Sequence, residues 1–141
     1  LGYGAWKIQP DGAAERIFPT TLTPEHQCLR VVVSRSHLGE REQQIVARLR
    51  ERFEDIEMVS MGSSLKFCLL AEGGADFYPR LAPTSEWDTA AAHAVLRAAG
   101  GDVVTSDFLP LRYNQKAELL NPHFMAMADA SFDWREILQQ P

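Results

Sequence analysis

Several short stretches of this sequence carry side chains able to act on a charged ligand. Gly62-Ser63-Ser64 lies between a short apolar run and a segment that is apolar almost all round. A turn there would offer free backbone N–H groups and hydroxyls at the positive end of a helix, a cradle of phosphate size. The plain alternative, which the local sequence favours, is that Ser63 or Ser64 is simply an N-cap. Lys66 follows Ser63 by three residues and so shares its helix face. A lysine is rarely buried without an anionic partner, and the plainer alternative is that it snorkels to solvent. Arg80 closes FYPR and Asp88 opens EWDTAAAHAV, both where α/β sheets place ligands, at the carboxyl ends of strands. Their plain alternatives are a surface ion pair for Arg80 and a dipole-complementing first-turn acid for Asp88. His37 follows the run VVVSRSH and should surface at the same sheet edge as Ser63.

Other chemistries find no support. His26, His37, His93 and His123 do not fall at zinc spacings with one another or with Cys28 and Cys68. His93 reads as packed within its helix. There is no G-x-S-x-G elbow, no phosphate-binding G-x-x-x-x-G-K motif and no Cys/His pair in a nucleophile context. Both cysteines sit in apolar runs and read as reduced core thiols, which suggests a reducing compartment. The net charge of -5 argues against general nucleic-acid binding. With 45% hydrophobic and 23% charged residues the composition is that of a globular domain, and no apolar run approaches the ~20 residues of a membrane span.

These side chains need a scaffold, and the hydrophobic pattern supplies one. Residues 2–8 have strand character, and Gln9 to Gln27 reads as an irregular connection rich in Pro, Thr and Gly. LRVVVS from Leu29 reads as a buried strand. From Gly39 to Phe53 the apolar positions Ile45, Val46, Leu49 and Phe53 recur every three or four residues, an amphipathic helix with Glu40 and Glu42 in its first turn. A strand from Ile56 to Met61, a buried helix from Leu65 to Glu72 and a strand from Ala75 to Leu81 follow. A helix from Trp87 to Ala99 stops at Gly100-Gly101. Strands at Asp102 to Thr105 and Phe124 to Ala128 and a terminal helix from Trp134 to Gln140 complete an alternation that favours an α/β layered sandwich in one domain, residues 1–141. The chain opens at Leu1 inside what reads as a strand, which suggests a piece of a longer protein.

Taken together, the run GSSLKFCLLAEGGADFYPRLAPTSEWDTAAAHAVLRAAGG from Gly62 to Gly101 resembles the W-D-x-A-A and A-G-G pattern of the inositol monophosphatase superfamily. Its serine–lysine helix is similar to that of the family's 3'(2'),5'-bisphosphate nucleotidases. SRSH at Ser34 to His37 and LNP at Leu120 to Pro122 add to the likeness, which spans most of residues 28–128. The resemblance implies the C-terminal domain of that fold, a mixed β-sheet with helices on its faces, and a metal-binding half lying upstream. It implies magnesium-dependent removal of the 3'-phosphate from adenosine 3',5'-bisphosphate or its sulfated form, in sulfate assimilation. A cytoplasmic protein is implied, with peripheral attachment to the inner face of the cell membrane as a variant.

By the same resemblance, Asp88 is a catalytic residue that binds Mg2+ and touches substrate, and His37, Ser63, Lys66 and Arg80 contact the nucleotide bisphosphate. Magnesium takes one or two protein carboxylates and fills its octahedron with phosphate and water, so no protein nucleophile is needed. The family's D-P-x-D-G-T motif and preceding glutamate pair do not occur in this chain. Pro10-Asp11-Gly12 is better read as an ordinary turn. One carboxylate cannot hold a metal cluster, so the isolated chain should be inert and its missing N-terminal half is its first partner. The alternatives are an inositol monophosphatase or fructose-1,6-bisphosphatase-like phosphatase, a non-catalytic binding domain, and a dimerisation module with apolar patches around Trp6 and Trp134.

Overall fold

The computed structural model describes residues 3–34 and 38–139, so His37 lies outside the described residues. The first element is an antiparallel hairpin of β1 (Ala5–Ile8) and β2 (Ala14–Ile17), with Trp6 opposite Arg16 and Ile8 opposite Ala14. Its turn is made by Pro10-Asp11-Gly12, where the Ala13 N–H donates to Asp11 Oδ1 at 2.9 Å, an Asx-type turn. The hairpin corrects the expectation of an irregular connection over Gln9–Gln27. β2 is only AERI and three of its four residues are exposed, so it carries no apolar alternation by which sequence could reveal it.

The remaining elements alternate as expected. β3 (Cys28–Val33), α1 (Glu40–Arg52), β4 (Asp55–Ser60), α2 (Leu65–Ala71), β5 (Phe77–Arg80), α3 (Glu86–Ala99), β6 (Asp102–Thr105), β7 (Phe124–Met127) and α4 (Trp134–Leu138) follow in order. Five strands form one mixed sheet in the order β4-β3-β5-β7-β6. β3 pairs parallel with β4 and β5, while β7 runs antiparallel to both β5 and β6.

Helices cover both faces, giving the layered α/β sandwich its two cores. Leu29 and Val31 of β3 turn one way, onto Val46 and Leu49 of α1 and Trp134 of α4. Val32 turns the other way, onto Phe67 and Leu70 of α2 and Ala92 and Leu96 of α3. The period-2 pleat of one strand thus feeds two hydrophobic layers. Gly101 permits the close fit of α3 on the sheet, because a Cβ there would stand 2.5 Å from the Met127 carbonyl oxygen. Among the described residues no helix is long and apolar enough to cross a membrane.

Two expectations about side chains need correction. Cys28 is exposed at the start of β3 and Cys68 is half-buried, so neither is a core thiol. Cys28 precedes the apolar run rather than belonging to it, and its Sγ lies 3.8 Å from Asp55 Oδ2. Trp134 is fully buried, stacked on Phe77 at 4.8 Å between ring centroids, and leaves no apolar patch at that end. Trp6 does remain exposed.

One ion pair fixes the sheet's register. Asp76, 1% exposed, accepts the Arg30 backbone N–H at 2.8 Å and the Arg30 guanidinium at 2.8 and 3.1 Å. The same guanidinium donates to the Gly73 carbonyl and to Thr20 Oγ1. The Asp76 backbone in turn bonds to Arg30 and Ala128, tying β3 to the start of β5 and the end of β7. Removing one partner would strand the other, so Asp76→Ala is expected to lower stability by about 3 kcal/mol. Urea unfolding measures this, and a loss below about 1 kcal/mol, the worth of a surface pair, would contradict it.

Candidate functional site

The chain's two parallel crossovers run in opposite directions across the sheet. β3 leads through α1 to β4 on one side, and β4 returns through α2 to β5 on the other side of β3. In open α/β sheets a crevice forms at such a reversal, beyond the carboxyl ends of the strands. A cavity of about 490 Å³ lies there. Ser34 after β3, Ser63 and Ser64 before α2, Lys66 within α2, Arg80 ending β5 and Asp88 in the first turn of α3 all line it. Four of the five residues expected from sequence, Ser63, Lys66, Arg80 and Asp88, are therefore brought to one cavity from three separate elements.

The cavity gathers two cations. Lys66 is 5% exposed, and its Nζ sits 5.1 Å from the centre of the Tyr78 ring. Burial first, and then the nearby Arg80 guanidinium, hold its ammonium below the ordinary lysine value. Snorkelling is thus not what this lysine does. Arg80 reaches the Pro83 carbonyl with one Nη at 3.5 Å, while its Nε is buried without a hydrogen-bond partner. Among the described residues no carboxylate pairs with Lys66 or Arg80, so the surface ion pair for Arg80 is not formed. Two neighbouring cations, one fully buried and the other carrying a buried, unsatisfied N–H, favour an anion entering between them.

The serine turn adds hydroxyls rather than a cap. Ser64 stands at the N-cap of α2 but makes no side-chain bond to the helix, so the plain capping explanation is not realised. Ser63 has φ +52°, in the left-handed region where non-glycine residues are uncommon. Strain of this kind gathers at ligand sites, where the surrounding structure enforces it.

Asp88 does realise its plain alternative, and more. Its Oδ2 accepts the Ser85 N–H at 2.9 Å, closing the first turn of α3. Its Oδ1 makes no hydrogen bond among the described residues, and the carboxylate is exposed at the cavity wall. Oδ1 fits one oxygen position of a Mg2+ shell. No group of three His, Cys, Asp or Glu able to hold a metal exists among the described residues, so the cavity offers one candidate carboxylate and not a complete metal site.

Sequence reasoning did not single out Tyr78 or Trp87. Tyr78 lies under Lys66, its phenol raised by burial and partly lowered by Arg80. Its signal was available, since Tyr78 and Arg80 are two apart on one strand and share a face. Trp87 lines the cavity beside Asp88 and is 69% exposed. A second cavity of about 340 Å³ shares Ser34, Tyr78 and Arg80 and opens on Glu42, whose Oε1 accepts the Leu81 N–H at 3.3 Å. Elsewhere, a cavity of about 490 Å³ between α1 and α4 holds Arg48 and Arg52, but Glu51, Asp133 and Glu136 line it too. Its cations have acids beside them, unlike those at the serine turn.

Residues 4–132 match the model of the inositol monophosphatase family. A 3'(2'),5'-bisphosphate nucleotidase CysQ of Haemophilus influenzae is 52% identical over 84 residues, covering 59% of this chain and 31% of that protein. The CysQ of Escherichia coli is 48% identical over 94 residues, 67% of this chain and 37% of its own length. The chain thus spans about a third of these curated relatives. Among solved structures, CysQ from Bacteroides thetaiotaomicron superposes with a TM-score of 0.73 at 42% identity, over 89% of this chain and 51% of the other. With its mixed sheet, its cavity beyond the carboxyl ends of β3 and β5 and these matches in hand, the chain belongs to the inositol monophosphatase family.

Proposed function

We propose that this chain is the substrate-binding part of a magnesium-dependent phosphatase that removes the 3'-phosphate of adenosine 3',5'-bisphosphate or its sulfated form. The observation that carries the reading is the convergence of Lys66 and Arg80, without described carboxylate partners, on one cavity with Ser63 and Asp88. A substrate with two phosphates suits two cations better than a neutral ring with one. The similarity to bisphosphate nucleotidases supports the same choice. On this reading residues 1–141 form one domain of a longer cytoplasmic enzyme of sulfate assimilation, and the other metal carboxylates come from its upstream half.

Each side chain then has a separate task. Lys66 and Arg80 neutralise and orient phosphate oxygens by charge-assisted hydrogen bonds. Ser63 donates from its hydroxyl, and His37 would add a further contact to the nucleotide. Asp88 holds its carboxylate still through the Ser85 N–H and offers Oδ1 to a metal and to the substrate. Bound Mg2+ in such enzymes activates the attacking water and stabilises the leaving oxygen. Tyr78 walls the cavity beneath Lys66 and excludes water, which strengthens the attraction between the cations and phosphate.

Two outcomes test the proposal. Joined to its native upstream sequence, the chain should release phosphate from adenosine 3',5'-bisphosphate in a Mg2+-dependent way and faster than from inositol monophosphate, while residues 1–141 alone release none. The opposite preference would assign it to the sugar phosphatases, and no release from either would leave a binding domain.

The second outcome concerns pH. Because Lys66 is held below the ordinary lysine value of 10.5, its charge is lost at lower pH than that of an exposed lysine. Between that lowered value and 10.5 the unfolded chain binds more protons than the folded one, so ligand-free stability rises with pH through the window. Phosphate affinity runs the other way and falls with pH over the same window. Lys66→Met should raise KM by about tenfold or more at neutral pH, as expected for loss of a hydrogen bond to a charged group, and should flatten the alkaline fall in 1/KM. An unchanged alkaline limb in the variant would assign the titration to another group.

A further inference from the structure

A carboxylate that both caps a helix and serves a ligand has conflicting duties. The Asp88 bond to the Ser85 N–H weakens whenever a cation draws on the same carboxylate. The first turn of α3 therefore needs a restraint that does not pass through Asp88.

The segment 119–121 provides it. The Glu86 N–H donates to the Leu119 carbonyl, the Asn121 N–H donates to the Thr84 carbonyl, and Ser85 and Leu120 form an antiparallel bridge between them. The Asn121 side-chain amide then reaches into the turn. Its Nδ2 donates to the Ser85 carbonyl at 2.9 Å, to Thr89 Oγ1 at 2.9 Å and to Thr84 Oγ1 at 3.1 Å. An amide nitrogen has only two hydrogens, so one of these bonds is shared. All three acceptors lie on the turn that carries Asp88, and none is Asp88 itself.

This restraint is anchored in turn by a buried polar cluster. Thr89 is 2% exposed and lies beside the Tyr113 phenol, whose own pKa burial pushes up and the Thr89 hydroxyl pulls down. The phenol oxygen is 2.9 Å from His93 Nδ1, and His93 Nε2 is 2.9 Å from Asp102 Oδ1. Asp102 is held below the usual carboxylate range chiefly by this histidine, so it accepts. His93 Nε2 donates to Asp102, the Tyr113 phenol shares a hydrogen bond with Nδ1, and the Thr89 hydroxyl donates to the Glu86 carbonyl at 3.3 Å within the same turn. Thr89 thus accepts from Asn121 and donates to Glu86, so its hydroxyl ties the amide to the first turn of α3.

We infer that Asn121 is a positioning residue for Asp88: it holds the first turn of α3 by bonds independent of the carboxylate, so that Asp88 can engage a ligand without losing the turn. The consequence for catalysis rests on the phosphatase reading, and the consequence for the turn does not.

The test uses Asn121→Asp, which keeps the shape and removes every side-chain donor, and Thr89→Val, which keeps the shape and removes one acceptor together with the hydroxyl's bond to the Glu86 carbonyl. In the intact polypeptide, amide hydrogen exchange across residues 85–89 should quicken in both variants while the amides of α1, β3 and β4 keep their rates. Phosphate release should lose about tenfold or more in kcat with Asn121→Asp and less with Thr89→Val, outer-shell partners of metal ligands being worth about 10–100-fold. KM for the nucleotide should change little, because Ser63, Lys66 and Arg80 stand on other elements. Exchange that quickens uniformly, or kcat unchanged below the melting temperature, overturns the inference and leaves Asn121 a general stabiliser. If Asn121→Asp does not fold, Thr89→Val decides. A wild-type polypeptide that releases no phosphate would defeat the phosphatase reading, and the exchange comparison would still judge the turn.

Discussion

The Arg30–Asp76 pair is the constraint on which the sheet depends. Parallel strands cannot be set in register by a tight hairpin, and β3 meets β5 through a single paired position, Val31 with Phe77. Hydrophobic packing alone tolerates sliding of such a strand, since it fixes the face and not the level. The guanidinium, held by Asp76, the Gly73 carbonyl and Thr20, sets that level with directional bonds. Once β3 and β5 are level, Ser34 and Arg80 emerge at the same edge, and the crevice beyond them has defined walls.

The site itself works against stability. Burial penalises the Lys66 ammonium, and the nearby Arg80 guanidinium disfavours it further. Ser63 adds a backbone conformation that most residues avoid. A chain selected for stability alone would place Met or Leu at position 66, in a helix whose neighbours Phe67 and Leu70 are already core. The unfavourable terms have a common remedy, an anion in the cavity, and the two apolar cores carry the fold meanwhile.

How much of this was legible depended on the kind of signal. Helix α1 was plain because Ile45, Val46, Leu49 and Phe53 repeat with helical period, and the two-sided burial of β3 was plain from its unbroken run of β-branched residues. The convergence of Ser63, Lys66, Arg80 and Asp88 was legible in part, since each falls where a strand ends or a helix begins. β2 was not, having a polar sequence of four residues whose pairing is with β1 alone. Cys28 misled because the reading extended an apolar run by one residue, past the point where the strand reaches solvent. The Arg30–Asp76 pair was hidden for a deeper reason: 46 positions separate its partners, and only the folded sheet brings them together. The same holds for Asn121, which acts on a turn 32 to 37 residues earlier.

These long-range polar contacts explain how a partial site can sit on a well-formed domain. On the proposed reading Asp88 needs other carboxylates to gather a metal, but it does not need them to keep its place, because its turn is fixed from within this chain by the Ser85 N–H and by the strand-like pairing of residues 119–121. Lys66 and Arg80 likewise owe their positions to α2 and β5, which the two cores hold. On the proposed reading, recognition of phosphate and assembly of metal are separable in the architecture. The first is preorganised on one side of the crevice, and the second requires groups brought to face it. Preorganisation of Lys66 and Arg80 keeps the cost of ordering the cations out of any binding step, the condition under which the bisphosphate of the proposed reaction would be oriented by two charged side chains.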